Sequence, residues 1–557
     1  MEPLTPDQQR AVDRRDGPLF LEAGAGSGKT RVLVERFVRA VCDDGVPVDR
    51  ILAITFTEKA AAEMKARVRA RFIELGARDR AREAEGAWVS TIHGFCARVL
   101  RTHPLAAGID PEFRVLDETE ASRIAIDAFD RALEDFLARA SGRERLDLVA
   151  SYTPDRVARM VRTVYSRRRS QGERDPRLPA IDEPVHAGER ERLERALRAA
   201  GAELAPHSGE GKRIDEALAS IEHCTEALAA MEPGAFGDPD VFGELEVKRG
   251  NARVMKTPAF DELCEAQSAW LELCAGRKAY ADYRLLAKLL ELYCRRYAQL
   301  KEERSALDFE DLELAARDLL RSSDGLREHY RRRFEHVLVD EYQDTNPLQN
   351  ELLDLIGNGN LFTVGDARQS IYGFRNADVR VFRERRAAMA EEGRVESLRT
   401  NFRTTAPVLE RVNQTFEAVW PDADLDRLAA GSAHEPRVEP AVELLVVDKV
   451  KAHWDDAGLG EHPFGRGMGE TTWRACEARL LAARIDALVG EGKPYSPGDV
   501  AVLLRAASDM NVYERALADR GLPTYAYGSR GYFAQQQVSD LRAYLATLAN
   551  PLDELAL

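Results

Sequence analysis

A glycine-rich segment near the start of the chain restricts the fold more than any other part of the sequence. Residues 23–30 read AGAGSGKT and directly follow a short apolar run at residues 18–22. Beyond the segment, apolar side chains recur at helical spacing, including Val34, Phe37 and Val41. A strand, a glycine-rich turn and a helix in this order predict a phosphate-binding loop, in which backbone N–H groups and the helix N-terminus face the phosphates.

The side chains at the end of this loop favour a nucleoside triphosphate and a metal ion as its ligands. Lys29 is placed to reach the β- and γ-phosphates, and the Thr30 hydroxyl is placed to coordinate Mg²⁺. ATP and Mg²⁺ are therefore the expected cofactors, and a tight glycine turn without a ligand is the less favoured alternative. Ala23 stands where the general pattern has Gly. The predicted loop comprises Ala23, Gly24, Ala25, Gly26, Ser27, Gly28, Lys29 and Thr30.

Three further apolar runs, at residues 51–56, 337–340 and 361–366, have the length and composition of buried parallel strands. Together with the loop they predict a doubly wound α/β fold. The second of these runs ends in two adjacent carboxylates, Asp340 and Glu341. Opposite a phosphate-binding loop, Asp340 is expected to reach the metal, and Glu341 to orient or deprotonate the attacking water.

The composition of the sequence changes between residues 101 and 330, where long stretches are rich in Ala, Leu, Glu and Arg at helical spacing. They predict a large inserted helical domain, interrupted by loops at residues 170–184 and 232–243. A second α/β segment begins near residue 396, with strands predicted at 442–447 and 500–504 and a glycine-rich loop at 459–470. The predicted domains are a first α/β domain at residues 1–100 and 301–395, the inserted helical domain at 101–300 and a partial second α/β domain at 396–557.

Composition places the chain among ordinary globular proteins, with 44% hydrophobic and 31% charged residues. The net charge of −15 gives no global basic signature, so any nucleic-acid contact is expected to be local. The seven cysteines are scattered without a C-x-x-C pair, which argues against a zinc or iron–sulfur site. Neither a signal-peptide core nor a membrane-length apolar run is recognisable, so a cytoplasmic location without a membrane partner is expected.

The run DEYQDTNPLQ at residues 340–349 resembles the Walker B motif of superfamily 1 DNA helicases of the UvrD and Rep type. Further matches occur in the order in which that family carries its motifs, and six ordered matches are not explained by chance. The resemblance implies two RecA-like domains with an ATP site between them. The matching segments are LTPDQQRAV with Gln8, residues 54–68 (motif Ia), 90–101 (motif Ib), 307–312 (LDFEDL), 364–377 (motif III) and 398–413 (motif IV).

The resemblance assigns four more residues to the nucleotide. Gln8 matches the Q motif, whose amide pairs a donor and an acceptor on the adenine edge, and Phe402 is expected to stack on that ring. Gln369 resembles the γ-phosphate sensor of the family. Arg403 resembles the arginine that reaches from the second motor domain to stabilise transition-state charge. The implied catalytic residues are Lys29, Asp340, Glu341, Gln369 and Arg403.

The same resemblance places a channel for single-stranded DNA on the first domain. Phe56, Tyr372 and Phe374 match positions where aromatic faces stack on bases without reading sequence. Thr91, His93 and Arg375 match positions that hold phosphates or bases. For Phe56 the alternative is a core position, because an aromatic residue that ends an apolar strand is commonly buried.

The length of one insertion and the sequence at its start indicate a particular branch of the family. The segment between motifs Ib and II is longer than in the compact UvrD and Rep pattern, and residues 103–124 resemble the corresponding segment of the helicase subunits RecB and AddA. No nuclease carboxylate cluster is recognisable. Motifs V and VI are not recognisable either, so the second RecA-like domain is expected to be incomplete, and whether the native chain continues past Leu557 stays open.

The resemblance therefore implies an ATP-dependent DNA helicase or translocase, 3′-to-5′ in direction, acting on single-stranded DNA and duplex ends in repair or recombination. It also leaves room for a partner protein, either a nuclease or a second helicase subunit. The alternative is a nucleotide- and DNA-binding module of a helicase–nuclease complex without unwinding activity of its own. DNA-stimulated ATP hydrolysis is the property that separates the two.

Overall fold

The computed structural model describes residues 3–138, 142–185, 188–232, 234–420, 427–431, 435–448, 450, 453, 472–526 and 536–549. The chain divides into two compact units, Met1–Leu398 and Arg399–Leu557. No helix within the described ranges combines the length and the apolar character needed to cross a membrane.

The first unit is built on a six-stranded, fully parallel sheet with the strand order β3-β2-β6-β7-β1-β8. The four strands predicted from apolar runs are confirmed as β1, β2, β6 and β7, which are the four central strands of this order. Their nearly continuous burial explains the uninterrupted apolar runs, because helices cover both faces of a parallel sheet. The strands of this unit are β1 (Leu19–Ala23), β2 (Ile51–Thr55), β3 (Trp88–Thr91), β4 (Arg114–Val115), β5 (Ala306–Leu307), β6 (His336–Val339), β7 (Leu361–Gly365) and β8 (Val395–Leu398).

Two layers of helices enclose this sheet. On one face α1 to α4 form a core that includes the predicted apolar stripe of α2, with Val34, Phe37 and Val41 buried. On the other face α5 and α14 to α17 form a second core. The helices of the first unit are α1 (Pro6–Asp13), α2 (Lys29–Cys42), α3 (Glu58–Glu74), α4 (Arg78–Glu83), α5 (Ile92–Thr102), α6 (Pro104–Ala107), α7 (Glu118–Leu137), α8 (Gly142–Tyr152), α9 (Pro154–Ser170), α10 (Glu189–Leu204), α11 (Lys212–Ala229), α12 (Pro239–Glu244), α13 (Pro258–Glu302), α14 (Phe309–Ser322), α15 (Asp324–Arg333), α16 (Pro347–Ile356) and α17 (Val379–Glu391).

The helical insertion has two cores joined by one long helix. The chain passes from the sheet to the helices beside the short parallel pair β4 and β5. Helices α7 to α9 pack on the second half of α13, and α10 to α12 pack on its first half. At 45 residues, α13 is about 68 Å long at the standard helical rise, which is enough to span both cores.

A buried group of charges ties the insertion to α14. The Lys301 Nζ lies 2.6 Å from an oxygen of Asp308 and 2.5 Å from one of Asp311. Arg169, at the end of α9, forms an ion pair with Asp311. Asp308 also caps the N-terminus of α14. Breaking such a buried network is costly, so the start of α14 is held firmly between α9 and α13.

The predicted loop at 170–184 follows the end of α9 at Ser170, as expected. The loop predicted at 232–243 is wrong at its end, because α12 begins at Pro239. Asp238 accepts a hydrogen bond from the N–H of Asp240 and so caps this helix, and proline suits a first helical position.

The second unit is mostly helical where the structure describes it. Helices α19 and α20 pack through small and apolar side chains, including Ala478, Ala482 and Val512. The short strand β9 pairs in parallel with β10. The elements are β9 (Thr400–Asn401), β10 (Ala429–Ala430), α18 (Ala406–Val419), α19 (Thr472–Leu488), α20 (Met510–Ala518) and α21 (Gln536–Ala549).

The strands predicted at 442–447 and 500–504 are wrong in the described part of this unit, where neither segment joins a ladder. A strand is stable only where a neighbour takes up its backbone N–H and C=O groups. Leu444 and Leu503 are 88% and 92% exposed, so no packed layer covers these two side chains either. The predicted glycine-rich loop at 459–470 lies outside the described residues.

Candidate functional site

The glycine-rich loop joins the end of β1 to the start of α2, as its sequence predicts. Gly28 directly precedes α2 and has a positive φ of 89°, which an L side chain adopts only with strain. A Cβ atom at Gly28 would also lie 2.7 Å from the Gln8 Nε2. The Ser27 hydroxyl donates to the Gly24 carbonyl at 2.7 Å and closes the turn. The loop therefore requires glycine at position 28 for two independent reasons.

Gln8 lies against this loop. Its Nε2 donates to the Ser27 carbonyl at 2.9 Å, and its Oε1 accepts from the Thr5 N–H at 3.2 Å. Gln8 is 2% exposed, and each end of its amide makes one hydrogen bond within the chain. A second N–H and a second lone pair of this amide are left for an adenine edge, and this role of Gln8 stays a prediction.

Three predicted catalytic side chains from separate parts of the sequence meet beyond the loop. The Lys29 Nζ lies 3.0 Å from the Glu341 Oε2 and 3.0 Å from the Gln369 Oε1. Gln369 in turn donates through Nε2 to Asp366 at 2.7 Å. Glu341 and Gln369 line a cavity of about 370 Å³, whose walls also include Thr30 and Asp340.

The two carboxylates at the end of β6 are held in an unusual backbone conformation. Glu341 has a φ of 50°, in the left-handed region that non-glycine residues seldom adopt, and such strain is concentrated at functional sites. Its N–H donates to the Asp340 carboxylate at 3.0 Å. Burial, followed by the nearby Glu341 charge, raises the pKa of Asp340 to about 6.

The donors around this cavity fit a magnesium ion. The Thr30 hydroxyl and the Asp340 carboxylate are hard oxygen ligands that line the same space. Mg²⁺ typically takes one or two such protein ligands and completes its shell with water and substrate phosphates. A cation there also offsets the repulsion between Asp340 and Glu341.

Phe402 and Arg403 belong to the second unit. The Asn401 Oδ1 accepts from the Arg403 N–H at 2.8 Å and from the Thr404 N–H at 2.7 Å, which makes a tight turn after β9. This turn leaves Phe402 39% exposed and Arg403 exposed at the surface of its unit. The predicted nucleotide contacts of both side chains stay predictions.

The predicted DNA-stacking residues form a continuous aromatic row of Phe56, Tyr372 and Phe374. The ring centroids of Phe56 and Tyr372 are 4.5 Å apart, and those of Tyr372 and Phe374 are 5.7 Å apart. Phe374 is 79% exposed, whereas Phe56 is partly exposed and belongs to neither core of the sheet. The alternative of a core position for Phe56 therefore fails.

Five of the six predicted DNA-contacting residues line one cleft of about 840 Å³ in the first unit. Tyr372 instead lines the smaller cavity of about 370 Å³, as Phe56 also does. The wall between the two spaces is also made by Asp340 and Glu341, which line both. The predicted DNA-contacting residues among those that line the larger cleft are Phe56, Thr91, His93, Phe374 and Arg375.

The polar members of this set are each engaged with a carboxylate. The Thr91 hydroxyl, at the N-cap of α5, donates to Glu58 at 2.6 Å. The His93 Nε2 lies 2.9 Å from the Glu313 Oε1. The Arg375 guanidinium lies 2.9 Å from Glu118 at the start of α7. Carboxylates thus occupy donors that were predicted to hold DNA phosphates.

Sequence reasoning missed several of these partners although they stand in or near the matching segments. Gln343, within DEYQDT, is 1% exposed, and its Nε2 donates to the Glu341 Oε2 at 2.9 Å. Its Oε1 accepts from the Asp366 N–H at 3.0 Å. Glu313 follows LDFEDL directly. For Gln343 the sequence does offer a signal, because its amide stands among the carboxylates of DEYQD. For Glu313 it offers none, because its contact with His93 depends on how α5 packs against α14.

Comparison with known proteins agrees with this geometry. The UvrD/REP helicase N-terminal domain family matches residues 4–389, and the UvrD-like helicase C-terminal domain family matches residues 397–557.

Similar proteins include an ATP-dependent helicase/nuclease subunit from Exiguobacterium sibiricum, 29% identical over 99% of this chain and 52% of the relative. The proteins of the same name from Alkaliphilus metalliredigens (29% identical; 100% of this chain, 52% of the relative) and Geobacillus kaustophilus (28% identical; 99% and 51%) are also similar. The chain thus spans about half the length of these relatives. The predicted resemblance to the UvrD and Rep type, with an AddA-like pattern, is confirmed, and the chain belongs to the UvrD-like helicase family.

Proposed function

We propose that this chain is the ATP-driven motor of a DNA helicase, which hydrolyses ATP in response to single-stranded DNA. The observation that carries the proposal is the segment at residues 364–377. It holds Gln369 against Lys29 in the nucleotide site and presents Tyr372 and Phe374 in the aromatic row. A single short segment therefore touches both ligand sites, which is what coupling of DNA movement to ATP hydrolysis needs.

The chemistry at the nucleotide site follows from the side chains that meet there. The loop N–H groups and Lys29 bind the phosphates, and the bound metal ion supplies further charge neutralisation. Once phosphate oxygens engage Lys29, the Glu341 carboxylate is free to accept a proton from the attacking water. Gln343 keeps this carboxylate oriented through its hydrogen bond to Oε2.

Binding of DNA is expected to favour single strands and to ignore base sequence. Aromatic rings stack on any base, and phosphate contacts carry no sequence information. Affinity should fall with salt as counterions are released from the strand. For Thr91 and Arg375, contact with a phosphate replaces the carboxylates that the two side chains meet in this structure, Glu58 and Glu118.

Finer features of the proposal rest on family resemblance. We propose 3′-to-5′ movement, action on duplex ends in repair or recombination, a cytoplasmic location, and a partner that is a nuclease or a second helicase subunit. We also propose three functional domains. The first motor domain comprises residues 1–100 and 301–395, the inserted domain comprises residues 101–300, and the second motor domain comprises residues 396–557. In that arrangement Phe402 and Arg403 contribute to the nucleotide site from the second motor domain.

One observation favours a second candidate function. The relatives, which are named helicase/nuclease subunits, are about twice as long as this chain. The chain is then a nucleotide- and DNA-binding module that needs further segments for unwinding. Two measurements on the purified chain separate the candidates, namely ATP hydrolysis with and without oligothymidylate, and displacement of a labelled strand from a duplex with a single-stranded 3′ tail. Stimulated hydrolysis with displacement supports the motor, whereas binding of both ligands without displacement supports the module.

Replacing Glu341 by Gln should lower the rate of ATP hydrolysis by about 10² to 10⁴, the range for removal of a general base. The amide keeps the size of the side chain and can still meet Lys29, so ATP affinity should change little. Steady-state phosphate release and binding of a fluorescent ATP analogue measure the two quantities. Glu335→Gln is the matched control, because Glu335 directly precedes the same strand, β6, and forms a partly exposed ion pair with Arg50. An unchanged turnover of the Glu341 variant would remove this residue from the chemistry.

Replacing Phe374 by Ala should weaken binding of a short oligothymidylate by about 1 to 3 kcal/mol, the usual worth of one stacked base. Phe374 is well exposed, so stability should change little. Fluorescence anisotropy measures the affinity. Ile371→Ala, in the same segment and 71% exposed, removes an apolar side chain without a ring and should have a smaller effect. Equal losses in both variants would point to a change of the segment and not to stacking.

A further inference from the structure

A histidine and a buried carboxylate meet at the edge of the DNA cleft in a way that the proposed chemistry does not use. His93 lies in the first turn of α5, and its side chain is 31% exposed. Its Nε2 lies 2.9 Å from the Glu313 Oε1, and the Glu313 side chain is only 2% exposed. The ring also packs on Phe309, with centroids 4.6 Å apart. The imidazole is therefore fixed in position from two sides.

Glu313 itself is held by a second donor. The Gln349 Nε2 donates to the same Oε1 atom at 2.7 Å. Gln349 belongs to α16, where it also forms a capping box with Asn346. A buried carboxylate with two donors is oriented by the fold, and α14, which carries it, is anchored by Lys301 through Asp308. Glu313 is thus built into the first unit before any ligand arrives.

The second ring nitrogen of His93, Nδ1, forms no hydrogen bond with any residue that the structure describes. The ring lines the same cleft as Phe56, Phe374 and Arg375. A doubly protonated imidazole whose Nε2–H is committed to Glu313 still has its Nδ1–H to donate. Phosphate oxygens are acceptors that suit such a charged donor.

We propose that Glu313 is a positioning residue that holds His93 as an imidazolium cation, so that His93 binds a phosphate of single-stranded DNA in a protonation-dependent manner. This inference rests on the proposed function, because it takes the cleft to be the path of the strand. In the neutral ring the single N–H is the one that meets Glu313, and Nδ1 is then an acceptor that cannot donate to a phosphate.

The charged groups that face the ring from the neighbouring elements agree with this state. Glu313 and Glu310 lie on α14, and Glu58 lies at the start of α3. The cations Arg375 and Arg162 line the same cleft. Burial works against the charged ring, but these carboxylates, led by Glu313, outweigh it and raise the pKa of His93 above its usual value. Burial and the Asp308 charge raise the pKa of Glu310 as well, so Glu313 is the principal partner.

The sign of the pH dependence follows directly. A raised pKa means that the cation persists at neutral pH and is lost as pH rises through the pKa of the folded protein. Affinity for oligothymidylate, whose bases do not titrate in this range, should fall about tenfold from about pH 6 to about pH 8.5 as one charge-assisted hydrogen bond is lost. The slope of log affinity against log salt should shrink by about 0.7, which is one phosphate contact on a single strand.

Three variants of the full chain test the proposal by anisotropy at fixed ionic strength. Glu313→Gln should move the fall in affinity to lower pH, and His93→Gln should remove it. Glu118→Gln is the control, because Glu118 is a carboxylate of the same cleft that contacts Arg375 and not the His93 ring. The affinity of this variant should fall at the same pH as that of the unmodified chain. A fall that stays in place in Glu313→Gln, or that persists in His93→Gln, overturns the proposal.

A second measurement does not depend on DNA. In histidine-labelled protein, the His93 ring signal is identified by its absence from His93→Gln, and its titration midpoint should decrease in Glu313→Gln but not in Glu118→Gln. An unchanged midpoint overturns the role of Glu313 even where DNA binding is intact. Failure of the unmodified chain to bind oligothymidylate at any pH overturns the proposed function instead. Because Glu313 is buried, the thermal unfolding of Glu313→Gln is recorded. If Glu313→Gln does not fold, the pH dependence of DNA binding by His93→Gln tests the proposal.

Discussion

Replacing Lys29 by Ala should abolish ATP hydrolysis. The Lys29 Nζ sits between Glu341 and Gln369, 3.0 Å from each, and is the side-chain charge of the loop that meets the β- and γ-phosphates. The phosphates then lose their fixed cation both in the bound state and in the transition state, where it matters most.

The fold should survive this change. The Lys29–Glu341 ion pair is lost, but the Glu341 side chain is 36% exposed and can be solvated, so a cost of at most about 1 kcal/mol is expected. Thermal unfolding checks stability, and phosphate release with saturating oligothymidylate checks activity. Lys212→Ala, at a side chain 90% exposed on the insertion, is the matched control and should retain the full rate. Hydrolysis by the Lys29 variant at the rate of the unmodified chain would falsify the assignment of the loop.

The parts of this fold that the sequence predicts well are those where local pattern and tertiary demand coincide. Strands β1, β2, β6 and β7 are largely apolar because the sheet is covered on both faces, so each strand can be predicted from its own apolar run. The loop at residues 23–30 is equally legible, since its backbone shape requires glycine at position 28. The meeting of Lys29 with Gln369 was implied only by family resemblance, because no local rule joins positions 340 residues apart.

The parts that could not be predicted depend on neighbours distant in sequence. The apolar run at 442–447 is typical of a strand, yet a strand also needs a partner, which the described residues do not supply. The partners of His93, Thr91 and Arg375 come from α14, α3 and α7 and are set by helix packing. Helix α14 carries Glu310, Asp311 and Asp318 beside Glu313, so sequence alone offers no reason to choose Glu313 over its neighbours.

Replacing Arg403 by Ala should lower the maximal rate of ATP hydrolysis by about 10³ to 10⁵, the contribution of an arginine that stabilises the transferred phosphoryl group. Asn401 fixes the backbone of Arg403 through a 2.8 Å hydrogen bond, and no described residue forms an ion pair with its guanidinium. The side chain is exposed and is therefore available to a ligand. Under the proposed function, charge develops on the γ-phosphate oxygens only during hydrolysis, so this loss should fall on kcat and leave ATP affinity nearly unchanged.

Two further variants sharpen this test. Arg403→Lys keeps the charge but loses the planar, forked donor set of arginine, so it should recover only part of the rate. Arg411→Ala removes another exposed arginine, on the adjacent helix α18, and should behave as the unmodified chain. Phosphate release under saturating ATP gives kcat, and a fluorescent nucleotide gives affinity. If Arg403→Ala instead weakened ATP binding at constant kcat, the residue would be a ground-state phosphate ligand. If neither quantity changed, the second unit would supply no arginine from this position, and the motor would have to complete its nucleotide site with a different residue.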